Sequence, residues 1–401
     1  MSPKKRPQPI APPNVDRALQ LAMELMAIPG RSGAEGQVAE YIQNQLLRAG
    51  VDASNVHRDS AWKRAPIRGQ TGNLVLRLPG TQRGPRRMFS AHMDTVPICI
   101  GSRPIRSGEL VRSGDSQTGL GADDRSGVAV ILNTALEILE QELPHPPLTF
   151  CWFIQEEIGL QGSRCVSKSL LGKPQMAFNF DGGSPAKVTI GATGGYRLSI
   201  EIRGIASHAG GAPERGVSAI VIAALAIADL QQRGWHGDIV KERRCGTSNI
   251  GVIQGGEATN VVADHVLIHA EARSHDPVMR QRIVREIVGA FEKAAREVKN
   301  TAGATGRVTV DGRLDYESYR LEESAPCVQA AIAAVQGIGR APELAIANGG
   351  IDANWLVKHG IATASFGCGA MNVHTVDEAL NVQDFQDACR VALRLACDVD
   401  K

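Results

Sequence analysis

Apolar runs and alternations along the chain predict its elements before any chemistry is considered. Residues 15–28 place Leu19, Met23 and Met26 at helical spacing and stop at Pro29-Gly30. Ser32-Gly33-Ala34-Glu35 has the form of a capping box, opening a second helix with Val38, Tyr41, Ile42 and Leu46 on one face. Residues 72–78 alternate as a strand and turn at Pro79-Gly80. Residues 87–91 predict a short strand, and 128–139 a helix apolar on all sides, which belongs in a core. Residues 148–154 and 176–180 are near-continuous apolar runs, the pattern of strands buried on both faces of an α/β sheet.

The pattern then changes. Between residues 193 and 319 it reads as strand (196–202), helix (218–230), strands (249–253 and 266–272), helix (279–298) and strand (307–311). This predicts a small α+β domain, one sheet with two helices on one face. After it the α/β pattern resumes with a helix at 327–335, a strand at 362–366 and a closing helix at 385–396. The organisation expected is a discontinuous domain, 15–192 with 320–401, interrupted by an inserted domain, 193–319. Residues 1–14 are basic and Pro-rich without an apolar stretch, so a disordered tail is expected there and not a signal peptide. The longest apolar run, 219–228, is too short to span a bilayer.

Composition narrows the partners. The 401 residues suffice for two domains and a large core. A net charge of +2 lacks the basic excess of a nucleic-acid binder. Eight cysteines without a C-x-x-C pair suggest neither a zinc ribbon nor a disulfide framework. They fit buried thiols in a reducing compartment, and a cytoplasmic location is expected.

Candidate chemistry collects where strands end. The run 148–154 stops at Glu156-Glu157, two acids that require water, a partner or a metal. The strand at 87–91 leads into His92-Met93-Asp94, whose His and Asp share one face of an extended segment. Asp123 and Asp124 open the helix after a Gly-rich approach, where acids also suit the helix dipole. Asp181 follows the strand at 176–180, in a segment that also reads as an Asp-Gly turn. His374 lies in the loop after the strand at 362–366. Taken together, His92, Asp123, Glu157, Asp181 and His374 offer imidazole and carboxylate donors suited to zinc and related divalent ions. Two histidines and three carboxylates can fill two sites if one carboxylate bridges. A separate carboxylate must then accept the proton of the attacking water, and Glu156 fits that role. Asp94 can orient His92.

The stretches AHMDTVP, GLGADDRSG, QEEIGLQGS, FNFDGG, IRGIASHAG and NVHTVDE, in this order, resemble the M20 family of co-catalytic zinc metallopeptidases, and within it the peptidase T (tripeptide aminopeptidase) branch. The likeness runs from about residue 15 to the end. It implies a zinc-exopeptidase-like α/β catalytic domain, its mixed sheet carrying helices on both faces, with an inserted α+β lid. It implies two zinc ions per chain, replaceable by cobalt or manganese. One would be held by His92, Asp123 and Asp181, the other by Asp123, Glu157 and His374. Glu156 would be the general base and Asp94 the support of His92. A cis peptide after the bridging Asp is implied as well. His208 matches the family's lid histidine, and Asn260 and Arg273 its substrate-binding positions. An Asp at the place of Asp181 accompanies the family's aminopeptidases. The function expected is removal of the N-terminal residue from short peptides. The alternatives are a carboxypeptidase or N-acyl amino-acid deacylase and, more remotely, a non-catalytic peptide-binding protein. Homodimerisation through the lid is implied too. Ile351 and Trp355 depart from the family pattern and are expected to reshape a substrate pocket.

Overall fold

The computed structural model describes residues 12–397, so most of the expected N-terminal tail lies outside the described residues. Chain contacts divide the protein into two compact units. One comprises the residues up to Gly191, Arg320–Ala347 and the residues from Ile351 onward. The other comprises Ala192–Tyr319 with Asn348–Gly350.

The first unit is built on a mixed sheet. Among the described residues it has nine strands, and four central ones run parallel in the order Leu148–Phe153, Arg87–His92, Met176–Phe180, Thr363–Phe366. Leu74–Leu78 and Lys187–Ala192 flank them antiparallel. Alternation along these strands divides their side chains between two cores. Leu74, Leu76, Phe89, Phe150, Trp152, Phe178 and Phe180 join one core. Val75, Met88, Cys151, Phe153 and Ala177 join the other. On the first face the rings of Phe150, Phe89, Phe180 and Phe366 continue across the strands with centroids 5.3–6.3 Å apart, pairs that add to simple burial. That face is covered by the helices Val15–Ala27, Ala122–Glu140 and Val382–Cys397. The opposite face carries the short helix Ala353–Lys358, whose Leu356 joins the second core.

Several elements differ from the sequence expectation. The helix expected at 128–139 begins at Ala122, with non-helical backbone at Asp123 and Asp124 and a cis peptide between them. The capping box does not form. Glu35 is the N-cap of Gly36–Arg48, but its side chain and that of Ser32 are used elsewhere. A four-stranded antiparallel sheet of Pro104–Ser107, Leu110–Ser113, Ala379–Asn381 and Ala370–Met371 was not foreseen. Its strands are two to four residues long, too short to establish an alternation.

The second unit is a five-stranded antiparallel sheet in the order Gly237–Lys241, Arg244–Gly255, His265–Ser274, Gly194–Arg203, Arg307–Tyr316. Leu198, Ile200, Ile202, Val266, Ile268 and Ala270 point to one face, where they pack with the helices Ala219–Gln232 and Pro277–Glu297. Ser218 caps the first helix through Val221 N–H and Asp276 the second through Val278 N–H. Among the described residues no helix is long and apolar enough to cross a membrane.

Candidate metal centre

Parallel strands bring their carboxyl ends to one edge of a sheet, where ligands of α/β proteins bind. His92 is the last residue of its strand, Glu156 and Glu157 lie just beyond Phe153, and Asp181 follows Phe180 directly. The Asp181 N–H donates to Phe366 O at 2.7 Å, which seats Asp181 beside the neighbouring strand. His374 reaches the same edge from the loop between Ala370–Met371 and Ala379–Asn381, with a positive φ of 66°.

Asp123 stands at the middle of these groups. His92 Nε2 lies 3.1 Å from Asp123 Oδ1, and His374 Nε2 lies 3.3 Å from Asp123 Oδ2 and 3.0 Å from Glu157 Oε1. Each oxygen of one carboxylate thus meets a different imidazole. Donor atoms of His92, Asp123 and Glu157 lie within 4.8 Å of one another, as do those of His92, Asp124 and Asp181. Asp124 replaces Asp123 in the second group, but its oxygens already accept from His92 N–H and Gly127 N–H.

The supports of the cluster come from residues that sequence reasoning used differently or passed over. The His92 ring hydrogen-bonds through Nδ1 to the Asp94 carbonyl at 3.0 Å, so Nδ1 carries a proton and Nε2 is the nitrogen that faces Asp123. The Asp94 carboxylate accepts from Glu156 N–H at 2.9 Å, Glu157 N–H at 3.2 Å and Ser32 Oγ–H at 2.6 Å. Gln155, with φ of +52°, donates its N–H to Glu35 Oε1 at 3.1 Å. Glu378 accepts from Gly121 N–H and Asp123 N–H at 2.7 and 3.0 Å and so fixes the backbone of Asp123. Glu378 closes the stretch NVHTVDE, but no role was expected of it. Ser32 and Glu35 carried a helix-cap signature that concealed their use here. Trp355 packs on the Arg164 guanidinium, 5.2 Å away, and on His359.

Electrostatics show what the cluster needs. Burial drives Glu156 and Asp124 well above the ordinary carboxylate range, and neighbouring acids add to it. Asp181 and Asp352 are each pushed up to about 7, chiefly by burial. For Asp123 burial acts upward too, but hydrogen bonds from His374 and His92 outweigh it and hold the group low. His374 is pushed up to about 10 by Asp123 and then Glu157. Buried acids that raise one another are a site short of positive charge. Imidazole nitrogens facing carboxylate oxygens are donors suited to divalent transition ions, so the residues present fit a metal centre.

The residues expected from the second unit are described within it. His208 is exposed, and its Nδ1 accepts from Gly210 N–H and Gly211 N–H at 3.1 and 2.9 Å. Its proton therefore sits on Nε2, which is a donor. Asn260 is brought beside it, since Asn260 O accepts from Ala209 N–H at 2.8 Å. Arg273 is not in that pair. It lies on His265–Ser274 and forms a two-bond ion pair with Glu271 at 2.9 Å.

Comparison with known proteins finds relatives over nearly the whole chain. The chain is 31% identical over 372 residues to the uncharacterized protein YqjE of Bacillus subtilis, covering 92% of this chain and 95% of that one. The structure of a tripeptidase from Staphylococcus aureus superposes with a TM-score of 0.86 at 30% identity, covering 97% of this chain and 99% of that one. The aminopeptidase PepT of Bacillus cereus gives a TM-score of 0.82 at 31% identity, covering 97% and 100%. The model of peptidase family M20/M25/M40 matches residues 88–398, a range that includes His92, Asp123, Glu157, Asp181 and His374, and the chain belongs to that family as a metallopeptidase.

Proposed function

We propose that the protein is a two-metal aminopeptidase that removes the N-terminal residue from short peptides, tripeptides among them. The observation that carries this reading is Asp123, whose two oxygens each meet a different histidine, the arrangement a bridging ligand requires. The likeness to a tripeptidase and to an aminopeptidase PepT over nearly the whole chain supports the substrate class.

In this reading His92, Asp123 and Asp181 hold one ion, and Asp123, Glu157 and His374 the other. Zinc suits the donors, with cobalt or manganese as substitutes. When bound, the ions polarise the scissile carbonyl and make water more acidic. Glu156 receives the proton of the attacking water and passes it to the leaving amine. Its N–H is held by Asp94, which leaves its carboxylate uncommitted to the backbone. The second unit serves as a lid, with His208, Asn260 and Arg273 binding substrate. Support for His208 is its tautomer, which presents Nε2–H as a donor for charge developing on the substrate carbonyl.

A homodimer through the second unit is part of the reading. Its support is the exposed apolar stripe of Ile220, Val221 and Leu225 on Ala219–Gln232. Cytoplasmic location agrees with the buried thiols Cys99, Cys151, Cys165, Cys327, Cys368 and Cys389. The test is digestion of a peptide set with products identified from both ends. Release of the N-terminal residue, with N-acetylated peptides poor substrates, supports the proposal. Release of the C-terminal residue, or equal cleavage of acetylated peptides, refutes it in favour of a carboxypeptidase or deacylase.

A further inference from the structure

An open cleft with a volume of about 670 Å³ lies against the metal cluster within the first unit, and Glu157 belongs to both. Ile67, Val96, Pro97 and Ile158 give it apolar walls. Arg31 and Arg68 line it as well. Among the described residues no carboxylate pairs with either guanidinium.

Both arginines are carried by backbone that is tied to the catalytic loops. Arg31 bridges Thr95 in parallel register, and Thr95 N–H donates to Gly30 O at 3.1 Å, so Arg31 runs alongside the segment that follows His92. The loop of Arg68 is held on both sides. Gln155 Nε2–H donates to Ile67 O at 3.3 Å, and Gln70 N–H donates to Gly33 O at 3.0 Å. Gly33, with φ of +85°, allows this approach, since a Cβ there would lie 3.0 Å from Ile67 Cδ1. The backbone that carries Arg68 is therefore tied to Gln155, one residue from Glu156, while both arginine side chains are exposed at the cleft.

We infer that this cleft receives the side chain of the substrate's N-terminal residue and selects an acidic one, glutamate or aspartate. The inference rests on the aminopeptidase reading, in which the N-terminal residue supplies the carbonyl held at the cluster. Its side chain is then the one that reaches a cleft sharing Glu157. Apolar walls accommodate the methylene stem, and the two unpaired guanidinium groups meet the carboxylate. A lysine or arginine side chain in the same place meets like charge.

The test compares kcat/KM for Glu-Ala-Ala and Gln-Ala-Ala, peptides of one shape that differ by a charge. For exposed pairs such as these the expected preference for Glu-Ala-Ala is about two- to fivefold at low ionic strength. It should shrink in added salt and fall to about one in the double variant R31Q/R68Q. The single variant Arg68→Gln should lose part of it. The ratio is internal to each variant, so a general loss of activity does not imitate the result. Equal rates in the wild type, a preference that survives the double variant, or a preference for Ala-Glu-Ala would each overturn the inference while leaving the aminopeptidase standing. If none of these peptides loses its N-terminal residue, the aminopeptidase reading is what has failed, and the cleft assignment goes with it.

Discussion

Two neighbouring glutamates differ in the bonds around them. Glu157 Oε1 faces His374, while Glu156 is fixed through its backbone, its N–H by Asp94 and its carbonyl by Gly159 N–H and Leu160 N–H. Glu156→Gln should therefore lower kcat by at least about 10²-fold with metal content near normal. Glu157→Gln should instead weaken one metal site, as elemental analysis after dialysis would show. Equal metal loss in both variants would contradict the assignment. Glu35, fully buried, accepts from Gly33 N–H and Gln155 N–H and holds the left-handed turn that aims Glu156. Removing that acceptor strands the buried Gln155 N–H and the part-buried Gly33 N–H, so Glu35→Ala should lose about 1–3 kcal/mol of stability and a larger share of kcat than of metal. Glu35→Gln keeps an acceptor and should retain most of both. Denaturant unfolding with kinetics on the same samples checks this, and normal kcat in the Ala variant would refute the positioning role. At this scale the candidate ligands were legible as acids and histidines recurring at strand ends. Ser32, Glu35 and Glu378 were not, because their partners lie far away in sequence and a local capping pattern explained Ser32 and Glu35 equally well.

The elements that position the site differ in how plainly the sequence announces them. Leu148–Phe153 and Met176–Phe180 are buried throughout, and an unbroken apolar run reports that directly. The sheet that carries the His374 loop is made of strands too short to show a period. The start of Ala122–Glu140 was misplaced because backbone at Asp123 and Asp124 departs from helical geometry to serve the cluster. Loops around His208 are glycine-rich, and two of their N–H groups fix the tautomer of that ring. In the proposed mechanism the His208 donor acts on transition-state charge, and donors of this type are worth roughly 2.7–4 kcal/mol. His208→Ala should then keep the fold and both metals and lose about 10²-fold in kcat with little change in KM. A variant with near-normal kcat on a good tripeptide would leave His208 a solvated loop residue.

At the scale of the whole molecule, one unit contains the entire candidate metal cluster, and the inserted unit has a core of its own. The change of hydrophobic pattern near residue 193 signalled the second sheet and its helix pair. Which residues meet at the cluster depends on the parallel strand order, and no local pattern encodes that. The charge balance of the cluster has a measurable consequence. His374 is pushed up to about 10 by Asp123 and Glu157, so its ring carries an extra proton at pH 7, and His92 is raised in the same direction. Ions bind the unprotonated rings, so uptake should release protons, and apparent affinity should rise between pH 6 and 8. Calorimetric titration in two buffers of different ionisation enthalpy checks the sign, and binding without proton release would contradict this charge balance. The central claim, a two-metal aminopeptidase, is tested most directly by adding zinc to the exhaustively chelated protein while following release of the N-terminal residue from a tripeptide. The account predicts no release without metal and full activity at two ions per chain. Turnover in the verified metal-free protein, or saturation with the C-terminal residue as the product, would contradict it.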